Sequence, residues 1–248
     1  MSYSVAPCRV VDTCGDGGPL GGPYLQDQMR DFPVLESNCI PSGVDASAYS
    51  FNVTVVPNPA NQPLGYLTIW PKGQSQPPTS TLNNPTATVV ANAAIVPAGT
   101  GGDIEVYVSN STDLVLDING YFAAPGDGGL SLYPTVSCRS LDTRFPNGNG
   151  AFSGTMNPPM SVLGGSCGVP SPVLAYVFNA TAVPQGRLGY LTLWPVGEEQ
   201  PIVSTLNATD GTITSNMAIV EAGTQGQVNA YAAGTTDLIR DISSFFAP

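Results

Sequence analysis

Apolar and polar residues alternate with period two along most of this chain, the spacing of strands whose successive side chains face opposite ways. In "DIEVYV" (103–108), Ile104, Val106 and Val108 share one face, and Asp103, Glu105 and Tyr107 share the other. The segment "QVNAYA" repeats the pattern with Val228, Ala230 and Ala232. In "FNVTVV" (51–56), Phe51, Val53 and Val55 read as inward, with Asn52 and Thr54 outward. The stretch "VVANAAIV" (89–96) is alanine-rich, but its β-branched content and flanking Gly/Pro clusters predict a strand. There Val89, Ala93 and Ile95 align with Ile213, Met217 and Ile219. About seven or eight short strands per half predict an all-β fold of two tandem homologous β-sandwich domains, Ig-like or jelly-roll-like.

The same strings occur twice. "CRVVDTC" (8–14) matches "CRSLDTR" (138–144), and "FNVTVVP" (51–57) matches "FNATAVP" (178–184). "GYLTIWP" (65–71) matches "GYLTLWP" (189–195), and "STLN" recurs at 80–83 and 204–207. "TDLVLDINGYFA" (112–123) matches "TDLIRDISSFFA" (236–247). The offset is 130 at the first cysteine and 124 from the GYLT heptad onward. A repeat of this length is a whole domain rather than a solenoid unit. The expected division is 1–124, a Pro/Gly linker at 125–130 ("PGDGG" and one residue more), and 131–248. Such a chain reads as a complete two-domain unit or a piece of a longer array.

In the heptads, Leu67 and Ile69 point one way, and Tyr66, Thr68 and Trp70 the other; Leu191 and Leu193 oppose Tyr190, Thr192 and Trp194 likewise. One face joins the core. The aromatic face, extended by Tyr107 and Tyr231, is a candidate contact surface for a second sheet, another subunit or a glycan.

Composition narrows the function classes. The chain has no histidine, which removes Ser-His and Cys-His nucleophilic pairs and His-ligated metals. No cofactor is expected. Eighteen acidic residues face seven basic ones, for a net charge of −11. That balance argues against nucleic acid and anionic membranes as partners. No apolar run reaches the roughly 18 residues of a membrane helix, so membrane insertion is not expected. "MSYSVAPCRV" has no basic stretch followed by an apolar one, so no secretory signal is visible. A mature product, a fragment with an added Met, or release without a signal, as with virion proteins, would each account for it.

Cysteines point outside the cytoplasm. Cys8 and Cys39 occupy positions matching Cys138 and Cys167, which predicts one disulfide per copy, against the alternative of buried reduced thiols. Cys14 is left over, because the second copy has Arg144 there; it is a candidate intermolecular cysteine.

Among charged motifs, Arg9 and Asp12 are three apart and fall on opposite faces of a regular strand, so they are not expected to pair with each other. They are expected instead as partners of Asp117 and Asp241 in a network tying terminal strands together. Asp113 with Asp117, and Asp237 with Asp241, match the spacing of two carboxylates on one strand face. A carboxylate hydrolase would need them across a cleft, and structural acids are the simpler reading. "DTCGDGG" (12–18) and "PGDGG" are acidic and glycine-rich but lack the ligand spacing of a calcium loop. Asn52, Asn110, Asn179 and Asn207 fit the N-glycosylation acceptor pattern, with Asn52 and Asn179 expected outward.

Taken together, "CRVVDT…GYLTIWPKG…STLN…TDLVLDINGYF" resembles a β-rich repeat of about 120 residues found in tandem in large bacterial secreted and cell-surface proteins. The resemblance covers nearly the whole chain twice. It departs at Cys14, where the pattern has Arg, and at "DISSFF", where it has "DINGYF". It implies an extracellular or cell-surface location and a structural or adhesive role, with no activity attached. The expectation is a non-enzymatic subunit of a filament, fibre or adhesin stalk that self-associates through β-domain contacts. The alternatives are a carbohydrate-binding module using Tyr and Trp faces, and a virion fibre or decoration protein.

Overall fold

The computed structural model describes residues 1–15, 20–145 and 148–248. The chain divides into two compact units, Val5–Pro125 and Gly126–Pro248, the latter joined by Met1–Ser4. The first four residues lie with the second copy because Ser2 and Leu130 exchange backbone hydrogen bonds of 3.0 and 2.8 Å. The repeat pattern carries no trace of that exchange.

The first copy contains β1 (Ser2–Asp12), β2 (Met29–Phe32), β3 (Ala46–Pro57) and β4 (Gly65–Pro71). After them come β5 (Leu82–Asn84), β6 (Val90–Pro97), β7 (Ile104–Val108) and β8 (Thr112–Ala123). They form two four-stranded sheets, ordered β1-β8-β3-β6 and β2-β7-β4-β5. Strands that follow one another in sequence thus fall into opposite sheets, except at β4-β5. This is the jelly-roll order, two interlocked Greek keys, and it excludes the Ig-like option.

The second copy contains β9 (Ser131–Asp142), β10 (Phe152–Thr155), β11 (Met160–Ser161) and β12 (Ala175–Pro184). It continues with β13 (Gly189–Pro195), β14 (Leu206–Ala208), β15 (Thr214–Glu221) and the long β16 (Gln227–Ala247). Here β16 does the work of β7 and β8 in one strand. Its first part pairs with β11, β10 and β13, and its last part with β12 and β9. The jelly-roll order is therefore kept.

The alternating residues meet between the sheets. Phe51, Val53, Val55, Leu67, Ile69, Val106 and Leu116 are all buried in the first copy. In the second, Phe178, Ala180, Leu191, Leu193, Val228, Ala230 and Ala232 fill the same space. One sequence expectation needs correction. Asn52 is not outward: it is 9% exposed, in a central strand flanked by β8 and β6. In β15 the core side is Ala218 and Val220, while Met217 and Ile219 pack on the outer face with Ala175, Val177, Leu130 and Phe246. Period two identifies two faces but not which one is inside when both are apolar.

Each copy carries one disulfide, Cys8–Cys39 and Cys138–Cys167, with Cα atoms 5.6 Å apart in both. The pair fits an oxidising, extracellular environment. Among the described residues, no helix is long and apolar enough to cross a membrane.

Candidate functional site

Two constellations contain the residues singled out by sequence, one at the terminal strands and one on the β4 sheet.

At the terminal strands, Arg9 Nε donates to Asp117 Oδ1 at 2.9 Å, and Arg9 also donates to Asp12 Oδ2 at 2.9 Å. The second copy repeats this, with Arg139 to Asp241 at 2.8 Å and to Asp142 at 3.3 Å. The Arg and Asp three apart do pair, contrary to the regular-strand expectation. The reason shows in the β9–β16 register, where Arg240 faces Leu141 and Asp241 faces Arg139, so Ser140 has no opposite number. That bulge turns Arg139 and Asp142 to one side. The threonine of each "DT" completes the network. Thr13 Oγ1 donates to Asp113 at 2.8 Å, and Thr143 Oγ1 to Asp237 at 2.9 Å. Each hydroxyl also accepts a backbone N–H, from Leu114 or Leu238 at 2.9 Å. The Asp113 carboxylate takes a second bond, from Asn58 Nδ2 at 2.8 Å. These carboxylates bind strands together rather than facing each other across a cleft.

Cys14 stands where Arg144 makes a two-pronged pair with Asp142, at 2.7 and 2.9 Å. Those bonds to Arg144, then the Arg139 charge, hold the Asp142 carboxyl below its usual range. Cys14 is exposed and unbridged. Partial desolvation, then the Asp113 and Asp12 carboxylates, push its thiol up to about 12, so little thiolate is present near neutral pH. Of the acidic loop Asp12–Gly18, residues 16–18 lie outside the described residues. The "PGDGG" segment closes a turn, Gly129 N–H to Gly126 O at 3.1 Å. Among the described residues, no group of three or more His, Cys, Asp or Glu could hold a metal.

On the β4 sheet, the two heptads split their aromatics. Trp70 and Trp194 are only 2% and 4% exposed, so neither is open to another subunit or a glycan. Each is covered by the loop that follows its own strand. Trp70 Nε1–H donates to Gln74 O at 3.1 Å, and Trp194 Nε1–H to Glu198 O at 3.2 Å. Five residues on, the loop is tied down again, by Thr68 Oγ1 to Thr79 O at 3.0 Å and Thr192 Oγ1 to Val203 O at 2.7 Å. The repeated "STLN" then locks the return. Thr81 and Thr205 hydroxyls accept the Ile69 and Leu193 amides. Ser80 and Ser204 donate to Asn83 and Asn207.

The tyrosines stay outside. Tyr66 is 37% and Tyr190 36% exposed. Each meets a partner on the neighbouring strand of the same sheet, Tyr66 with Tyr107 at 5.8 Å and Tyr190 with Tyr231 at 5.6 Å between ring centroids. Tyr107 Oη–H donates to Asp27 at 2.7 Å. That hydrogen bond, with desolvation second, pushes its phenol up to about 12. Beside Tyr66 lies an open groove of about 480 Å³, lined also by Gln76, Pro77, Pro78, Ser80 and Asn83. Of the glycosylation candidates, Asn110 and Asn179 are exposed, Asn207 is half-buried and Asn52 is buried.

Two further features escaped sequence reasoning. Tyr49 and Tyr176, both fully buried, donate to Gly102 O at 2.7 Å and Gly226 O at 3.0 Å. Their matching repeat positions were the available signal. Arg240 is fully buried, with its guanidinium 4.6 Å over the Phe178 ring. Burial lowers it to about 10. Its replacement of Leu116 inside an otherwise matched string was the clue.

Fold and residue networks together define a tandem, disulfide-stapled jelly-roll protein. No protein-family model matches the chain, and no curated protein does. A solved structure described as "Crystal Structure of the STIV MCP", a viral major capsid protein, aligns over 99% of this chain and 96% of its own. The identity is 9% and the TM-score 0.22, a likeness too weak to inform function.

Proposed function

We propose that this protein is a non-enzymatic extracellular structural subunit that self-associates through its β domains in a surface filament, fibre or stalk. The observation that carries this reading is the edge strand β9. It runs for twelve residues at the margin of its sheet and shows Leu132 at 54%, Tyr133 at 42% and Val136 at 87% exposure. A long edge with exposed apolar side chains is a template for adding another strand; β9 carries its exposed Leu132, Tyr133 and Val136 on either side of Pro134, ahead of the bulge at Ser140. The chain itself adds a strand end in this way where Ser2 meets Leu130. The acids offered as catalytic candidates support the same reading, since they are engaged in joining strands.

The jelly-roll order is also common to viral capsid domains, which makes a virion component the second reading. Sedimentation velocity and negative-stain microscopy of native protein test the proposal. Concentration-dependent oligomers or fibres are expected, and Leu132→Lys with Val136→Lys is expected to return them to monomer. A monomer at all concentrations sinks it.

A further inference from the structure

We infer that the groove beside Tyr66, and its counterpart beside Tyr190, is a binding site for a neutral oligosaccharide. A sugar ring needs an aromatic face open to solvent with hydroxyl and amide groups at its edge. Tyr66 supplies the face, with the tilted Tyr107 ring of the neighbouring strand against it. Gln76 supplies the edge, next to Asn83 and Ser80 with the lone pairs their mutual hydrogen bond leaves over, and Pro77 and Pro78 form a wall with little freedom to lose. The volume of about 480 Å³ lies in the range of ligand sites. No carboxylate or cation lines the groove beside Tyr66, and the chain's net charge of −11 repels acidic polymers.

The wall is held in advance. The loop carrying Gln76, Pro77 and Pro78 is anchored on one side by Trp70 through Gln74 and on the other by Thr68 through Thr79. The second copy has the same anchors around Gln200, Pro201 and Ile202. A loop fixed at both ends loses little entropy when a ligand arrives.

The duplication supplies independent support. Between the loops "KGQSQPPTST" (72–81) and "VGEEQPIVST" (196–205), five positions are identical. Gly73 and Gly197 need their positive φ of 87° and 103°. Ser80, Thr81 and their counterparts make the hydrogen bonds described above. Gln76 and Gln200 are exposed, so core packing does not account for their identity. Tyr66, Gln76, Pro77, Ser80 and Asn83 all recur as Tyr190, Gln200, Pro201, Ser204 and Asn207, with only Pro78 changed, to Ile202. A proline-rich peptide also seeks aromatic grooves, but it docks between aromatic ridges, and here the facing wall is itself proline.

The test is isothermal titration of the full chain with cellohexaose, chitohexaose, mannohexaose and maltohexaose, and with a proline decamer. At least one hexaose is expected to bind at two sites per chain. Tyr66→Ala and Tyr190→Ala are each expected to reduce this to one, and the double variant to none, with unfolding midpoints unchanged. Gln76→Ala with Gln200→Ala weakens both sites and is the check if loss of a tyrosine disturbs the fold. No heat with any hexaose, binding that survives the double tyrosine variant, or Tyr66-dependent binding of the proline decamer alone overturns the inference.

Discussion

Leu116 and Arg240 occupy the same place in the two copies, and both are fully buried. In the first copy Leu116 lies opposite Val53 in β3, and Val10, the counterpart of Ser140, is also fully buried. In the second, Arg240 lies opposite Ala180 and donates from Nε to Ser140 Oγ at 3.1 Å. Val10, Val53 and Leu116 have thus become Ser140, Ala180 and Arg240. Two side chains shrank where one grew, which conserves volume in a close-packed interior. The guanidinium rests on Phe178 and reaches Ser161 O at 3.5 Å, but Nη1 has no hydrogen-bond partner. In the copy that buries a cation, its neighbours have changed with it.

The largest test breaks that compensation. Leu116→Arg alone puts a charge opposite Val53, in a copy that also keeps Val10. It is expected to destabilise the first copy by more than about 4 kcal/mol. Trp70 fluorescence in a Trp194→Phe background follows that copy during urea unfolding. A cost near zero would show that the neighbours do not matter.

Next come the disulfides, which close loops of 31 and 29 residues. Removing either, by Cys8→Ser with Cys39→Ser or Cys138→Ser with Cys167→Ser, is expected to cost about 3–4 kcal/mol. The chain-entropy estimate makes the two costs equal within about 0.1 kcal/mol. A large inequality would locate the difference between the copies in packing around the bridges.

The reverse exchange has a smaller, opposite effect. Arg240→Leu with Ser140→Val and Ala180→Val restores the first copy's set. It is expected to stabilise the second copy by about 1–4 kcal/mol, read from Trp194 in a Trp70→Phe background. Loss of stability would mean that the cation contributes through Phe178 more than its burial costs.

The smallest effect concerns Asp142, whose carboxyl is held low by Arg144. A depressed carboxyl adds stability above its unfolded value, and that stability is lost as pH falls through the folded value. Arg144→Cys, the first copy's residue, is expected to flatten the fall in the second copy's stability below about pH 4. Denaturation series across that range, with and without the substitution, measure it.

Several features were legible in the chain because they are local or repeated. Alternation in 103–108 and 51–56 marked strands, and matching cysteines marked the bridges. The Arg9–Asp117 and Arg139–Asp241 pairs followed from matched strings at the two ends of each copy. The pairing of Arg139 with Asp142 was not legible, because it depends on a bulge, and a bulge is a property of two strands in register. The placing of Trp70 was hidden for a related reason. A strand apolar on both faces does not say what covers the second one, and the cover proved to be its own following loop.

By itself, then, the sequence determined the strands, the duplication, the bridges and the chemistry withheld by an absence of histidine. These rest on short-range periodicity and on comparison of one half with the other. Only the tertiary structure decided the jelly-roll order, the burial of Trp70, Trp194 and Asn52, and the exposure of Tyr66 and Tyr190. Those outcomes depend on which sheet face meets which neighbour, and side-chain alternation is the same whichever way the sheet turns.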